Sequence, residues 1–364
     1  MIALDSPRIW QGNINWQTVL RHEFGHVLAL TRTQKRVPFW FTEGLSVVLE
    51  NQPSTLASDR IARWALIENQ LIPFTQLNHG FTRPKSPLHR SLAYYQSAFA
   101  VRRIIDQHGF ESVLGMLDEF AAGKTSAQAF EERLGISETV WAAEVDTAIR
   151  AHVDALPIWG LGSRERLMAR VTESSANKTD LAIRTRMAEE WFQAGEIETA
   201  VSEALAVLEA DPKRDDARVL LGHALLAEGQ PLQAAEYLAP LVEREPVDYL
   251  VVRDLGLIYA DQGEGEAAVA YLERAIQLYP ADPEPYRKLA EVHARAGRPK
   301  AALAVREQAA QVADDPFVDL IAVADLAREN QWADAEAEAL RKSLALRPFA
   351  ADTVKRLAPL DRQA

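Results

Sequence analysis

A 34-residue interval recurs through the C-terminal half of the sequence and constrains its fold strongly. Four glycines carry the interval: Gly195, Gly229, Gly263 and Gly297. An alanine lies five residues after each of them: Ala200, Ala234, Ala268 and Ala302. Three prolines keep the same spacing: Pro212, Pro246 and Pro280. A unit of this length cannot bury its apolar side alone, so successive units must stack on one another.

This pattern resembles the tetratricopeptide repeat, in which a glycine lies in the turn between two helices and a small residue lies where they touch. Leu255, Gly256 and Tyr259 match the first helix of that repeat best. A weaker fifth unit, in phase within one residue, contains Asn330 in the glycine position, Ala335 and Pro348. The resemblance implies an α-α superhelix of about five repeats whose concave face binds a protein partner.

The N-terminal half contains a different signal, His22-Glu23-Phe24-Gly25-His26, inside a segment at 15–31 with helical periodicity. Residues i and i+4 lie on one face of a helix, so both imidazoles can bind one metal ion while Glu23 reaches a water bound to it. These five residues alone are weak evidence, because the same pattern arises by chance on ordinary amphipathic helices. A metal site needs a third ligand.

Glu43 is the candidate for that third ligand, since two histidines of a catalytic zinc site are often completed by a carboxylate. Its surroundings, Trp40-Phe41-Thr42-Glu43-Gly44, resemble the Trp-x-x-Glu-Gly motif of the gluzincin metallopeptidases, the thermolysin-like and aminopeptidase-N-like clan. The resemblance implies one Zn²⁺ held by His22, His26 and Glu43, with Glu23 as the general base that hydrolyses a peptide bond.

Tyr94-Tyr95-Gln96-Ser97 extends the resemblance, because a tyrosine at this place in aminopeptidase-N-like enzymes stabilises the oxyanion. The small bacterial peptidase-MA-like domains are more similar still, and the segments shared with them are His108-Gly109 and Leu134-Gly135-Ile136-Ser137. The resemblance implies a catalytic Tyr94. The residues themselves leave two alternatives open, Tyr95 in that role or a tyrosine that merely packs in the core.

Pro38 suits the first turn of a further helix, and Glu50 lies seven residues after Glu43 on the same face of that helix. The family places a supporting acid there, which implies a hydrogen bond to one of the ligand histidines. An ordinary surface position for Glu50 is the alternative.

The expected fold is mainly α: a truncated zincin-like domain at 1–156, a linker at 157–178 and a repeat array at 179–364. Helices are expected at 15–31, 54–70, 91–109, 111–122, 126–134 and 138–155, with a loop at 71–85. A short helix is also expected at 164–171 in the linker. The only expected strand is Ile2-Ala3-Leu4, an edge that would pair with substrate. Because only 21 residues precede His22, we expect that the rest of the N-terminal sheet is truncated.

Charge and composition exclude several partners. Residues 1–156 carry 16 acidic and 15 basic side chains, against 36 and 25 in the remainder, so the acidity belongs to the repeats and argues against nucleic acid or an anionic membrane. The chain has no cysteine, which excludes thiolate ligands. No membrane span and no signal peptide are visible, and the resemblance is compatible with a bacterial envelope, secreted or cytoplasmic protein.

Two functions fit these observations. The first is a zinc-dependent peptidase whose tetratricopeptide repeats dock a substrate or partner protein. The alternative is a repeat adaptor without catalytic activity that retains a relic metallopeptidase domain. The intact set of His22, Glu23, His26 and Glu43 favours the peptidase.

Overall fold

The computed structural model describes residues 16–158, 180–244 and 247–362. The expected strand at Ile2-Ala3-Leu4 and the expected linker helix at 164–171 lie outside these ranges. Within them the regular structure is entirely helical, which confirms the predicted mainly-α fold. No described helix combines the length and apolar composition that crossing a membrane requires.

The N-terminal part contains eight α-helices among the described residues. They are α1 (Trp16–Arg32), α2 (Phe39–Glu50), α3 (Leu56–Ile67), α4 (Leu77–Thr82), α5 (Pro87–His108), α6 (Phe110–Ala121), α7 (Ser126–Leu134) and α8 (Glu138–Asp154). Capping residues visible in the sequence mark the first and last turns of several of these helices. Thr125 and Gln128 form a capping box at the start of α7, and Gly135 ends that helix in the left-handed conformation.

The expected loop at 71–85 is wrong in its middle, where a 3₁₀ turn (Phe74–Gln76) leads into α4. Tertiary contacts explain the difference. Phe74 and Leu77 are buried in the core, and the Asp146 carboxylate accepts a hydrogen bond from the Phe74 backbone N–H at 3.1 Å. Gln96 pairs with both backbone groups of Ile72, so this segment is anchored to α5.

The core beneath α2 is built from aromatic side chains. The Trp40 ring lies 4.7 Å from Phe74 and 5.3 Å from Phe41, and Phe130 lies 4.9 Å from Trp141. All five are at most 3% exposed. Burial of each such side chain contributes about 1.5–3 kcal/mol to the free energy of folding, so α2 is firmly held.

Two glycines let α1, α2 and α5 approach one another closely. A Cβ atom on Gly25 would lie 2.7 Å from the Ser46 hydroxyl oxygen, and one on Gly44 would lie 2.4 Å from the Ser97 carbonyl oxygen. Both distances are shorter than van der Waals contact, so only glycine fits at these two positions. Gly25 lies between the two histidines and Gly44 follows Glu43, so these close approaches set the geometry of the predicted site.

The repeats form five helix pairs and a final helix among the described residues. They are α9 (Leu181–Gln193) with α10 (Ile197–Ala210), α11 (Asp215–Ala227) with α12 (Pro231–Leu238), α13 (Tyr249–Gln262) with α14 (Gly265–Leu278), α15 (Pro283–Arg295) with α16 (Pro299–Val312), α17 (Phe317–Glu329) with α18 (Ala333–Leu346), and α19 (Ala351–Leu360). A second 3₁₀ turn (Ala239–Leu241) follows α12. The four predicted alanines, Ala200, Ala234, Ala268 and Ala302, are fully buried.

The four turn glycines all have positive φ, between 69° and 86°. The fifth unit requires a correction. Asn330 has φ −98°, whereas Gln331 has φ 60° and is the left-handed residue of that turn. Gln331 is the residue 34 positions after Gly297, so the period itself was right and the assigned residue was wrong by one.

The chain divides into two compact units. One contains the described residues up to Leu156 together with those from Arg306 onward, and the other contains the residues from Pro157 to Val305. The last part of the repeat array thus belongs to the same unit as the N-terminal helices. The domain limits expected from the sequence stay a prediction.

Candidate metal centre

His22 and His26 on α1 and Glu43 on α2 bring three ligand atoms together. The two Nε2 atoms lie 3.2 Å apart. Glu43 Oε2 lies 3.3 Å from His26 Nε2 and 3.7 Å from His22 Nε2. Among the described residues, this is the group of histidine and carboxylate side chains that could hold a metal ion.

These distances fit a tetrahedral zinc ion. Zinc bonds of about 2.0–2.2 Å place neighbouring ligand atoms roughly 3.3–3.6 Å apart around the ion. Glu43 Oε2 is buried, and within the described part of the chain no group donates a hydrogen bond to it with good geometry. Two imidazoles and one carboxylate leave a fourth position for water, which is the donor set of a catalytic zinc site.

Both ligand histidines are held by hydrogen bonds at their other ring nitrogen. His22 Nδ1 lies 2.7 Å from Glu50 Oε1, and His26 Nδ1 lies 2.9 Å from Thr42 Oγ1. With a metal on Nε2, each Nδ1–H donates to its oxygen partner, which fixes the tautomer and orients the ring. The sequence suggested Glu50 for this role. Thr42 was missed, although it directly precedes the third ligand.

The electrostatics of the cluster favour paired charges. Burial alone would lower the pKa of His22, but Glu43 and Glu50 outweigh it and raise that pKa to about 9. Burial would likewise raise the pKa of Glu43, but the imidazoles of His22 and His26 lower it to about 2. Metal ligands bind in their deprotonated form, so a metal ion would compete with a proton for His22.

Glu23 and Tyr94 flank the ligands. Glu23 lines a groove of about 440 Å³ together with His26, Thr42 and Glu43. The Tyr94 ring lies 6.5 Å from the His22 ring, and burial, followed by the charge of Glu43, raises the pKa of its phenol. The phenol therefore stays protonated at neutral pH and can donate a hydrogen bond.

Tyr95, the alternative to Tyr94, has different neighbours. Burial, followed by the charge of Asp59, raises the pKa of its phenol. Asp59 lies on α3 and accepts a hydrogen bond from the Ser54 hydroxyl at 2.5 Å. Of the two tyrosines, the structure places Tyr94 beside the ligands.

Models of known families match two parts of the chain. A model of the Peptidase MA superfamily matches residues 8–148, and two tetratricopeptide-repeat models match residues 219–283 and 259–326. The chain thus combines a Peptidase MA superfamily domain with tetratricopeptide repeats. No match was found among curated proteins.

Several solved structures are similar to this chain at low sequence identity. The MamA protein is 22% identical, with a TM-score of 0.44, and the match covers 47% of this chain and 94% of MamA. YrrB, described as a TPR protein with an unusual peptide-binding site, is 17% identical, with a TM-score of 0.45 and coverage of 52% and 97%. A thermophilic TPR protein of Thermus thermophilus is 22% identical, with a TM-score of 0.33 and coverage of 50% and 98%.

Proposed function

We propose that the protein is a zinc-dependent peptidase and that its tetratricopeptide repeats dock a substrate or partner protein. The observation that carries this proposal is the triangle of His22 Nε2, His26 Nε2 and Glu43 Oε2, whose edges of 3.2–3.7 Å suit one zinc ion. The match of residues 8–148 to the Peptidase MA superfamily supports the reaction class.

The residues of this chain divide the chemistry among them. Zinc, when bound, polarises the scissile carbonyl and lowers the pKa of a bound water to about 7. Glu23 accepts the proton of the attacking water and passes it to the leaving amine. Tyr94 donates a hydrogen bond from its protonated phenol to the carbonyl oxygen as negative charge develops on it.

Glu50 and Thr42 act through the ligand histidines. Each accepts a hydrogen bond from Nδ1–H, so each Nε2 lone pair stays aimed at the ion. The groove lined by Glu23, His26 and Glu43 gives an extended peptide access to the same point.

The test compares the purified full-length chain with a Glu23→Gln variant. We expect one zinc per chain by elemental analysis for both proteins, and hydrolysis of a quenched peptide mixture by the wild type alone. Loss of the general base is expected to reduce kcat by about 10²–10⁴-fold. Zinc absent from the wild type at stoichiometric supply would refute the metal site. Equal activity of both zinc-loaded proteins would refute the role of Glu23.

The same experiment decides the adaptor alternative. A chain that binds zinc but hydrolyses no peptide in the mixture would favour the adaptor. A pull-down with wild type and Glu23→Gln then asks whether a protein partner binds regardless of the general base.

A further inference from the structure

A cavity of about 610 Å³ adjoins the candidate metal centre. Glu50 and Tyr94 line this cavity. Glu50 also hydrogen-bonds to His22, and the Tyr94 ring lies beside the His22 ring. Pockets that bind ligands commonly measure about 300–1,000 Å³, so this cavity can hold a substrate side chain. Its position next to Tyr94 means that a peptide bound at the metal centre can place one side chain in it.

The cavity has both apolar and polar walls, and most of its charged groups are acidic. Val47 and Val48 of α2 and Phe99 of α5 supply apolar surface. Three carboxylates line it, those of Glu50, Asp106 and Asp314, against one guanidinium, that of Arg102. The His152 ring packs on Phe99 with centroids 5.2 Å apart. The cavity therefore combines apolar surface with more carboxylates than guanidinium groups.

Asp314 comes from the turn between α16 and α17, in the repeat region, and belongs to the same compact unit as the N-terminal helices. Partial burial, followed by the charge of Glu50, raises the pKa of Asp314. Glu50 and Asp314 line the same cavity, so a cation placed between the two carboxylates is attracted by both. Asp314 and Asp106 are exposed to solvent, so a cation bound beside them keeps part of its hydration.

We propose that this cavity selects a cationic group of the peptide substrate, with an apolar stem along Val48 and Phe99 and an ammonium or guanidinium group at the carboxylates. Lysine and arginine combine such a stem and head, and an extended side chain of this kind buries its stem while its charge stays near water. This inference rests on the proposed peptidase function and specifies its substrate class.

The cation could come from a side chain or from the free amine at the start of a peptide, and matched peptides separate these sources. The zinc-loaded chain is assayed with an N-acetylated quenched peptide containing lysine, the same peptide with norleucine, and the norleucine peptide with a free N-terminus. We expect a lysine preference of about tenfold in kcat/KM over acetylated norleucine, which weakens as salt is added. A preference for the free amine alone would reassign the cation to the N-terminus and overturn the side-chain form of the proposal.

Variants identify the carboxylates. Asp314→Asn and Asp106→Asn are each expected to reduce the lysine preference about threefold, because solvent-exposed charge pairs contribute modestly. Asp352→Asn is the matched control, since Asp352 is 97% exposed on α19 and does not line the cavity. An unchanged preference in both Asp314→Asn and Asp106→Asn would overturn the proposal.

Binding provides a readout that does not need hydrolysis. The fluorescence anisotropy of dansyl-labelled lysine and norleucine peptides is measured with the full-length zinc-free protein. Tighter binding of the lysine peptide, weakened by Asp314→Asn and not by Asp352→Asn, supports the cavity even if no peptide is cleaved, in which case the peptidase function alone fails. Cleavage without any discrimination between lysine and norleucine overturns the cavity proposal and leaves the peptidase function standing.

Discussion

Replacement of Thr42 by valine tests whether its hydroxyl orients His26. Valine keeps the shape of the side chain and removes the oxygen that lies 2.9 Å from His26 Nδ1. Loss of such a partner typically lowers metal affinity about 10–100-fold, which corresponds to about 1.4–2.7 kcal/mol. We therefore expect the zinc dissociation constant of Thr42→Val to rise by one to two orders of magnitude, measured by competition with a chelating dye at fixed pH.

Thr33 offers a matched control for that experiment. It is fully buried, as Thr42 nearly is, and its hydroxyl donates to the Ala29 carbonyl oxygen at 2.7 Å, outside the metal centre. Each Thr→Val change removes one side-chain hydrogen bond, and each is expected to cost about 1 kcal/mol of stability. Only Thr42→Val should weaken zinc binding. Equal zinc affinity in Thr42→Val, Thr33→Val and wild type would refute the orienting role of Thr42.

Three further predictions concern packing, pH and the repeats. Gly44→Ala should lower zinc content and thermal stability together, because its Cβ would lie 2.4 Å from the Ser97 carbonyl oxygen; a folded variant with full zinc occupancy would contradict this. In the metal-free protein the pKa of His22 is raised from 6.5 to about 9, so the stabilisation by its charged imidazole should be fully present below pH 6.5 and lost as the pH rises through 9. His22→Gln should abolish this pH dependence in thermal melts. Gln331→Gly should raise the stability by up to about 1 kcal/mol in urea melts, because a left-handed residue at φ 60° is least strained as glycine; a lower midpoint would contradict this.

The parts of the structure that depend on short-range periodicity were predictable from the sequence. The helix that carries His22 and His26, the helix pairs of the repeats and the buried alanines follow from spacings of four to 34 residues. Asn330 shows the limit, since the positive φ falls on Gln331 and residue type favoured the neighbouring asparagine. The loop predicted at 71–85 was wrong for another reason. The turn in this segment is stabilised by hydrogen bonds to Asp146 and Gln96, which lie far away in sequence.

Contacts between distant segments account for what the sequence did not reveal at the site. The pairing of Thr42 with His26 depends on the angle at which α2 crosses α1, which the close approach of Gly25 to Ser46 sets. The only local signal for Thr42 was its position before Glu43. Asp314 gave no signal at all, because the fold brings a turn of the repeats to the cavity beside Glu50.

Glu50 contributes to both proposed features, the metal centre and the adjoining cavity. Thr42 and Asp314 each contribute to only one, so variants of these three residues can separate the two features. Glu50 accepts the hydrogen bond from His22 through Oε1 and also lines the adjoining cavity. Glu50→Gln should therefore weaken zinc binding and reduce the lysine preference together. Thr42→Val should change zinc affinity alone, and Asp314→Asn should change the lysine preference alone. A lysine preference lost in Thr42→Val at saturating zinc would show that selectivity arises at the metal ligands, and the cavity would then have no part in it.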